Sequence, residues 1–265
     1  MSQTSWRDGV DDLAAGLARS WLWLALARND LRQRYFGSVL GAFWITANIA
    51  AMTTALVLVF SGRQGGSAGN YAAYVALGLI LWQFIQTGLN EACVLFSVAA
   101  DTLRQVPLPV SVQPFRLVTR QLLILLHNLA VVPVLLLVFR IAPSPLIWTL
   151  APALLLMIVT LFSTGLLLGL AGERFRDTPQ IVGNVLQLLF FLTPIFWMPG
   201  MLGHERTWFV GANPVFAFID IVRAPLLGGS PMPHSWPVAA TVALASALGA
   251  VAALGRTRSS LAYWL

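Results

Sequence analysis

Lysine is absent from the 265 residues, and all sixteen basic side chains are arginine. A phosphate-binding loop of the G-x-x-x-x-G-K-[ST] kind uses its lysine to reach the phosphates. The chain therefore lacks the minimum part for binding ATP that way, and if ATP powers it, another chain must hold the nucleotide. Charge of either sign is scarce: 10% of residues are Asp, Glu, Lys or Arg, against roughly 25% in an ordinary soluble domain. A soluble enzyme, a secreted toxin and a free nucleic-acid binder are all excluded on that ground. The single Cys93 cannot form an internal disulfide and says nothing of redox compartment. No H-E-x-x-H, G-x-S-x-G or clustered His/Cys pattern occurs, so protease, esterase and metal chemistry lack their parts, and no catalytic, cofactor-binding or metal residues are assigned. The opening MSQTSWRDGVDD has three Asp and no basic-then-apolar pattern, unlike a cleaved signal peptide.

What is present is apolar. Hydrophobic residues make up 58% of the chain and the mean hydropathy is +0.77, with long uncharged runs of the roughly 20 residues that a membrane-crossing helix needs. Residues 10–35 read as one interfacial amphipathic helix, with Leu13, Leu17, Trp21, Leu24, Leu31 and Tyr35 on one face and Arg19, Asp30 and Arg34 well off it. Six spans follow, at about 38–60, 71–91, 121–139, 146–170, 181–198 and 236–254. The glycine-rich 61–70 reads as a flexible external turn. Pro107, Pro109 and Pro114 break the polar stretch after the second span, leaving a short helix at about 99–106 and then a turn. Pro194 predicts a kink or break near the outer end of the fifth span. Between 201 and 234 the longest uncharged stretch is too short and too interrupted to cross, which predicts re-entrant or interfacial helices.

Arginine sets the orientation. With the N-terminus inside, Arg7, Arg19, Arg28, Arg32, Arg34, Arg104, Arg116, Arg120, Arg174, Arg176, Arg256 and Arg258 are cytoplasmic, while Arg63, Arg140, Arg206 and Arg223 are outside. Twelve against four favours six spans with both termini in the cytoplasm. The domains are then a cytoplasmic N-terminus with the interfacial helix (1–37), a transmembrane domain (38–254) and a cytoplasmic tail (255–265). The fold class is an all-α polytopic membrane protein. The net charge of +6 follows from this topology and from contact with anionic membrane lipids, with no nucleic acid implied.

Few ionisable groups remain at membrane depth. Glu91 and His127 are the candidate gate or intramembrane polar residues, against plainer readings as a solvated helix-end carboxylate and, beside Asn128, an interhelical hydrogen-bonding residue. Trp44, Trp82, Phe84, Phe191 and Trp197 fall within or near spans, where aromatic faces stack on sugar rings and let a polymer slide; helix packing and lipid contact are the alternative. Trp21, Trp23, Trp208, Trp236 and Trp264 read as interfacial belt residues.

Four stretches carry a family resemblance across nearly the whole chain. RYFGSVLGAFW (Tyr35, Ser38, Leu40, Gly41, Trp44), ERFRDTPQIVGNVLQLLFFLTPIFW (Glu173, Arg174, Arg176, Asp177, Thr193, Pro194, Ile195), NPVFAFIDIVR (Asn213, Pro214, Arg223) and the closing LAYWL resemble, in this order, the ABC-2 type permeases that export O-antigen, capsule and teichoic acid. Ala42 departs from the pattern, since close relatives often carry Pro there. The resemblance implies a multi-pass subunit of the bacterial inner membrane, working as a homodimer above two copies of a separate ABC ATPase that binds ATP and Mg. It implies export of a lipid-linked polysaccharide. It also implies that 99–106 is a coupling helix with Arg104 meeting the ATPase, and that Arg174, Arg176 and Asp177 form a second cytoplasmic contact or a gate, against a plainer reading as positive-inside anchoring with local ion pairs. The alternatives are an ABC-2 exporter of drugs or lipids, a secondary transporter or channel relying on His127 or Glu91, and, least supported, a membrane-bound glycosyltransferase.

Overall fold

The computed structural model describes residues 4–41, 43–60, 68–106, 108–201 and 207–264, and among them the chain is entirely helical apart from turns. Ala42, the 61–67 part of the glycine-rich turn with Arg63, Pro107 and Arg206 lie outside the described residues, as does the side chain of Arg258. Five helical stretches are long and apolar enough to cross a membrane: Phe43–Phe60, Ala68–Ala92, Val112–Val138, Pro145–Arg174 and Ser235–Thr257.

The N-terminal stretch is two helices rather than one. α1 (Thr4–Ala18) and α2 (Ser20–Tyr35) are separated at Arg19, whose φ of −94° and ψ of 39° leave the helical region. α1 packs along the last helix, and α2 along the third long one. Leu17, Trp21 and Leu24 remain exposed as an apolar stripe. The polar edge of α2, expected to face water, turns into the protein instead.

α3 (Phe43–Phe60) is scarcely covered: 6% of its apolar window is buried, against 61% for α4 (Ala68–Ala92). α4 is the axis of the bundle. Tyr71, Leu77, Leu81 and Trp82 are buried among α6 (Val112–Leu129), α8 (Leu150–Arg174), α9 (Thr178–Leu192) and α11 (Pro214–Leu226). α5 (Ala100–Gln105) is a short exposed helix at one end of the bundle. α6 begins at Val112, well before the expected 121. Pro114 sits in its first turn, where a missing amide costs nothing. The carboxylate of the buried Asp12 on α1 accepts from the backbone N–H of Val110 (3.2 Å) and Ser111 (2.9 Å) just ahead of that turn. A break at Ala130 and Val131 separates α6 from α7 (Val132–Val138), which carries Pro133 in its first turn.

α8 follows a single turn of tighter helix at Pro145–Thr149 and packs on α12 (Ser235–Trp264), α4 and α11. Its close approach to the end of α4 depends on small residues: a Cβ at Gly172 would collide with the Cys93 carbonyl. α9 stops at Leu192, instead of continuing as a helix to 198. Thr193 precedes Pro194, which disfavours the helical conformation before it. At 15 residues and 1.5 Å per residue, α9 falls short of roughly 30 Å of hydrocarbon, and a non-helical segment, 193–198, extends it. α10 (Thr207–Ala212) and α11 are short helices joined at Asn213, whose side-chain oxygen accepts from Val215 N (3.0 Å) and Phe216 N (3.2 Å) to cap α11.

Candidate translocation groove and charged cluster

α3, α4 and α9 enclose a groove of about 580 Å³. Trp82 and Phe190 line it with ring centres 5.6 Å apart, and Phe191 lies beside Phe190 at 5.4 Å. Between the rings stand uncharged amides: Asn48 from α3, Gln83, Gln86 and Asn90 from α4, and Gln187 from α9. The indole N–H of Trp82 donates to Gln86 Oε1 (2.7 Å), and Gln83 Nε2 donates to Thr87 Oγ1 (2.6 Å), so the rotamers on this face are held. Ile45, Ile49, Met52 and Leu79 complete the wall. Such a surface offers ring faces and neutral hydrogen-bond partners with no fixed charge, which suits a polyhydroxylated chain better than an ion.

Of the five candidate aromatics, the structure brings Trp82 and Phe191 to this groove. Trp44 is exposed on α3 away from the lining, and Trp197 sits in the segment after α9, where its indole donates to the Phe191 carbonyl (3.0 Å). Phe84, 4% exposed, turns to the opposite side of α4, against α8 and α11. The amides went unread in the sequence, although Gln83, Gln86 and Asn90 have the three- and seven-residue spacing of one helix face.

The segment 193–198 beyond the groove is tied down by side chains. Tyr71 donates to the Phe196 carbonyl (2.5 Å), Tyr74 contacts the carbonyls of Pro194 (3.1 Å) and Trp197 (3.2 Å), and Arg223 Nη1 donates to the Pro194 carbonyl (2.8 Å). The Arg223 guanidinium also lies 3.7 Å from the Tyr74 ring centre. Asn213 Nδ2 donates to Thr193 Oγ1 (2.9 Å). Non-helical backbone packed inside a protein is costly unless its polar groups are satisfied in this way.

At the α5 end of the bundle Glu91 is paired. Its carboxylate accepts from Arg34 Nη1 (2.9 Å), Arg120 Nη2 (2.6 Å) and Gln121 Nε2 (2.6 Å). Asp30 accepts from Arg116 Nε (2.8 Å), a second Arg116 nitrogen and Arg120 Nη1 (2.6 Å). Asp30 and Arg34 are four residues apart on α2, as are Arg116 and Arg120 on α6, so each pair shares a face and the two faces meet. Burial opposes charge on Asp30, yet the hydrogen bonds and charges of Arg116 and Arg120 outweigh it and hold the carboxyl below the ordinary carboxylate range. The neighbouring Trp23 stacks on Phe115 with centres 5.5 Å apart, a packing role in place of the expected belt position.

His127 touches the Phe43 ring edge-on at 5.0 Å. The interhelical hydrogen bond expected of it is made by the next residue: Thr46 Oγ1 donates to Asn128 Oδ1 (3.0 Å). Arg104 is exposed on α5. Arg174, Arg176 and Asp177 are exposed at the α8–α9 corner, with Arg174 5.6 Å from the Phe175 ring centre. Glu173 at the same corner hydrogen-bonds at Ser97, just ahead of α5. Both sets of candidate contact residues therefore lie at one end of the molecule.

The sequence profile of the ABC-2 type transporters matches residues 22–227. The chain belongs to that family. Two O-antigen export system permease proteins RfbA of Klebsiella pneumoniae are 25% and 24% identical to it, over 79% and 78% of this chain and 81% of each relative. A Myxococcus xanthus protein of the same name is 25% identical over 77% of this chain and 79% of its own length. In this ABC-2 chain the profile covers the groove, the paired charges and both sets of exposed arginines, while α1 and α12 lie beyond it.

Proposed function

We propose that this chain is the permease subunit of an ABC exporter that moves a lipid-linked, O-antigen-like polysaccharide across the bacterial inner membrane. The observation that carries the reading is the uncharged aromatic and amide lining of the α3–α4–α9 groove, together with relatives named as O-antigen export permeases. Ring faces of Trp82, Phe190 and Phe191 stack on the apolar faces of sugar rings, and the amides exchange hydrogen bonds with hydroxyls. Neither fixes a register, so the polymer slides. The groove is open on one side and α3 is largely bare. A second copy of the chain completes the wall of a conduit.

The missing lysine assigns ATP hydrolysis to a partner. Two copies of an ABC ATPase dock on the cytoplasmic side, where α5 with Arg104 is the main coupling element and Arg174, Arg176 and Asp177 at the α8–α9 corner form the second. Both termini lie on that side. Closure of the ATPase dimer on ATP pushes these elements and opens the conduit.

Combined Gln86→Leu and Gln187→Leu substitutions test the groove. They are expected to cut surface polysaccharide at least about tenfold, the loss expected from removing hydrogen bonds worth about 1 kcal/mol each together with the geometry they impose. Mass spectrometry of the purified chain is expected to find a P-loop ATPase in equal amount with wild type and variant alike. Undiminished polysaccharide display with the variant, or a chain that exports with no ATPase beside it, overturns the reading.

A further inference from the structure

A second polar site lies at the α5 end, apart from the groove. A cavity of about 110 Å³ is walled by the end of α4 with the turn after it, and by the first turns of α6, which contribute Gln113, Arg116 and Arg120. The two carboxylates around it are already paired. Glu91 Oε1 takes Arg34, its Oε2 takes Arg120 and Gln121, and both oxygens of Asp30 take Arg116 and Arg120. Donors are left over. Gln113 is 1% exposed, and among the described residues its Nε2 has no acceptor; the buried Arg120 Nε has none there either. Buried donors of this kind cost free energy until they are satisfied.

Charge is out of balance in the same direction. Among the described residues, Arg34, Arg116 and Arg120 pair with Asp30 and Glu91 alone, leaving one positive charge unmatched within the cluster. Water fills the space, at about 30 Å³ each, and satisfies an N–H, but leaves the charge where it is. An anion does both. The donors come from separate side chains, two of them guanidiniums, the geometry that suits an oxyanion with several acceptor oxygens. From these observations we infer that the cavity between the α4 end and α6 binds a phosphate-class oxyanion, through Gln113 Nε2, Arg116 and Arg120.

Two sources carry this chemistry: free phosphate, and the headgroup of an anionic phospholipid reaching in from a membrane surface that meets the exposed Leu17 of α1 and Trp21 and Leu24 of α2. The site is independent of the cargo proposed for the groove. Thermal unfolding of the full chain in mild detergent is measured in sodium phosphate against sodium chloride at equal ionic strength, and in nanodiscs of phosphatidylglycerol against phosphatidylcholine. A saturable rise in the unfolding midpoint with phosphate assigns the free anion; a rise with phosphatidylglycerol alone assigns the headgroup. Gln113→Leu removes one donor and is expected to weaken the response about tenfold. Gln113→Glu places a carboxylate beside Arg120 Nε, and is expected to raise the midpoint in chloride while abolishing the response. No rise with either ligand, or both variants responding as wild type does, overturns the proposal.

Discussion

Asp30 is a single carboxylate on which two helices depend. It lies on the polar edge of α2 and holds Arg116 and Arg120 of α6, whose equal charges four residues apart repel each other when unpaired. Asp30→Asn keeps the shape and removes the charge. It is expected to destabilise the fold by about 2 kcal/mol, between the cost of losing an exposed pair and that of breaking a buried one from one side, read as a fall in the unfolding midpoint in detergent. Acid does the same reversibly. Because the folded carboxyl is held below its ordinary value, its contribution is complete above the unfolded value of about 3.9 and is lost as pH falls further, through the folded value. The midpoint of wild type should therefore drop below about pH 4 by more than that of Asp30→Asn. Equal slopes would show that the carboxylate carries no such charge-dependent stability.

At the scale of elements, helix identity was written in the apolar runs, and most helix ends were not. The end of α9 was legible, because Pro194 announces it. The start of α6 was hidden, since Asp12 supports the backbone there from α1, and no local pattern announces a partner so distant in sequence. The break at Arg19 has no proline or glycine to mark it. For the candidate site, Trp82 and Phe191 were legible as aromatics inside spans, but which faces of α3, α4 and α9 meet is a packing outcome that also sent Phe84 elsewhere. The tied segment after α9 gives a prediction at this scale. Arg223→Met removes the donor to the Pro194 carbonyl and the cation above Tyr74. Hydrogen exchange over 193–198 is expected to quicken at least about fivefold, corresponding to roughly 1 kcal/mol of lost local stability, while exchange in the middle of α8 stays unchanged. Exchange at 193–198 no faster than in wild type would show that Arg223 does not hold the segment.

For the whole molecule, exposed charge and buried charge divide the work. Arg104 and Arg176 are solvent-exposed at the same end, where surface substitutions ordinarily change stability by no more than about 0.5 kcal/mol. Arg104→Ala and Arg176→Ala should leave the unfolding midpoint unchanged, yet separate ATP hydrolysis from export when the assembled transporter is assayed for both. Normal polysaccharide display at normal hydrolysis in both variants would remove these arginines from the coupling.

α1 is clasped between two partners that lie far along the chain. Its buried Gly9 fits against the Val251 carbonyl of α12, and its Asp12 against the start of α6. The ribosome makes α1 long before α12. Until α12 emerges α1 therefore waits without that neighbour, and the entropic cost of closing the long loop between them is met only when α12 arrives. A message truncated before Ser235 leaves α1 only its contact with the start of α6.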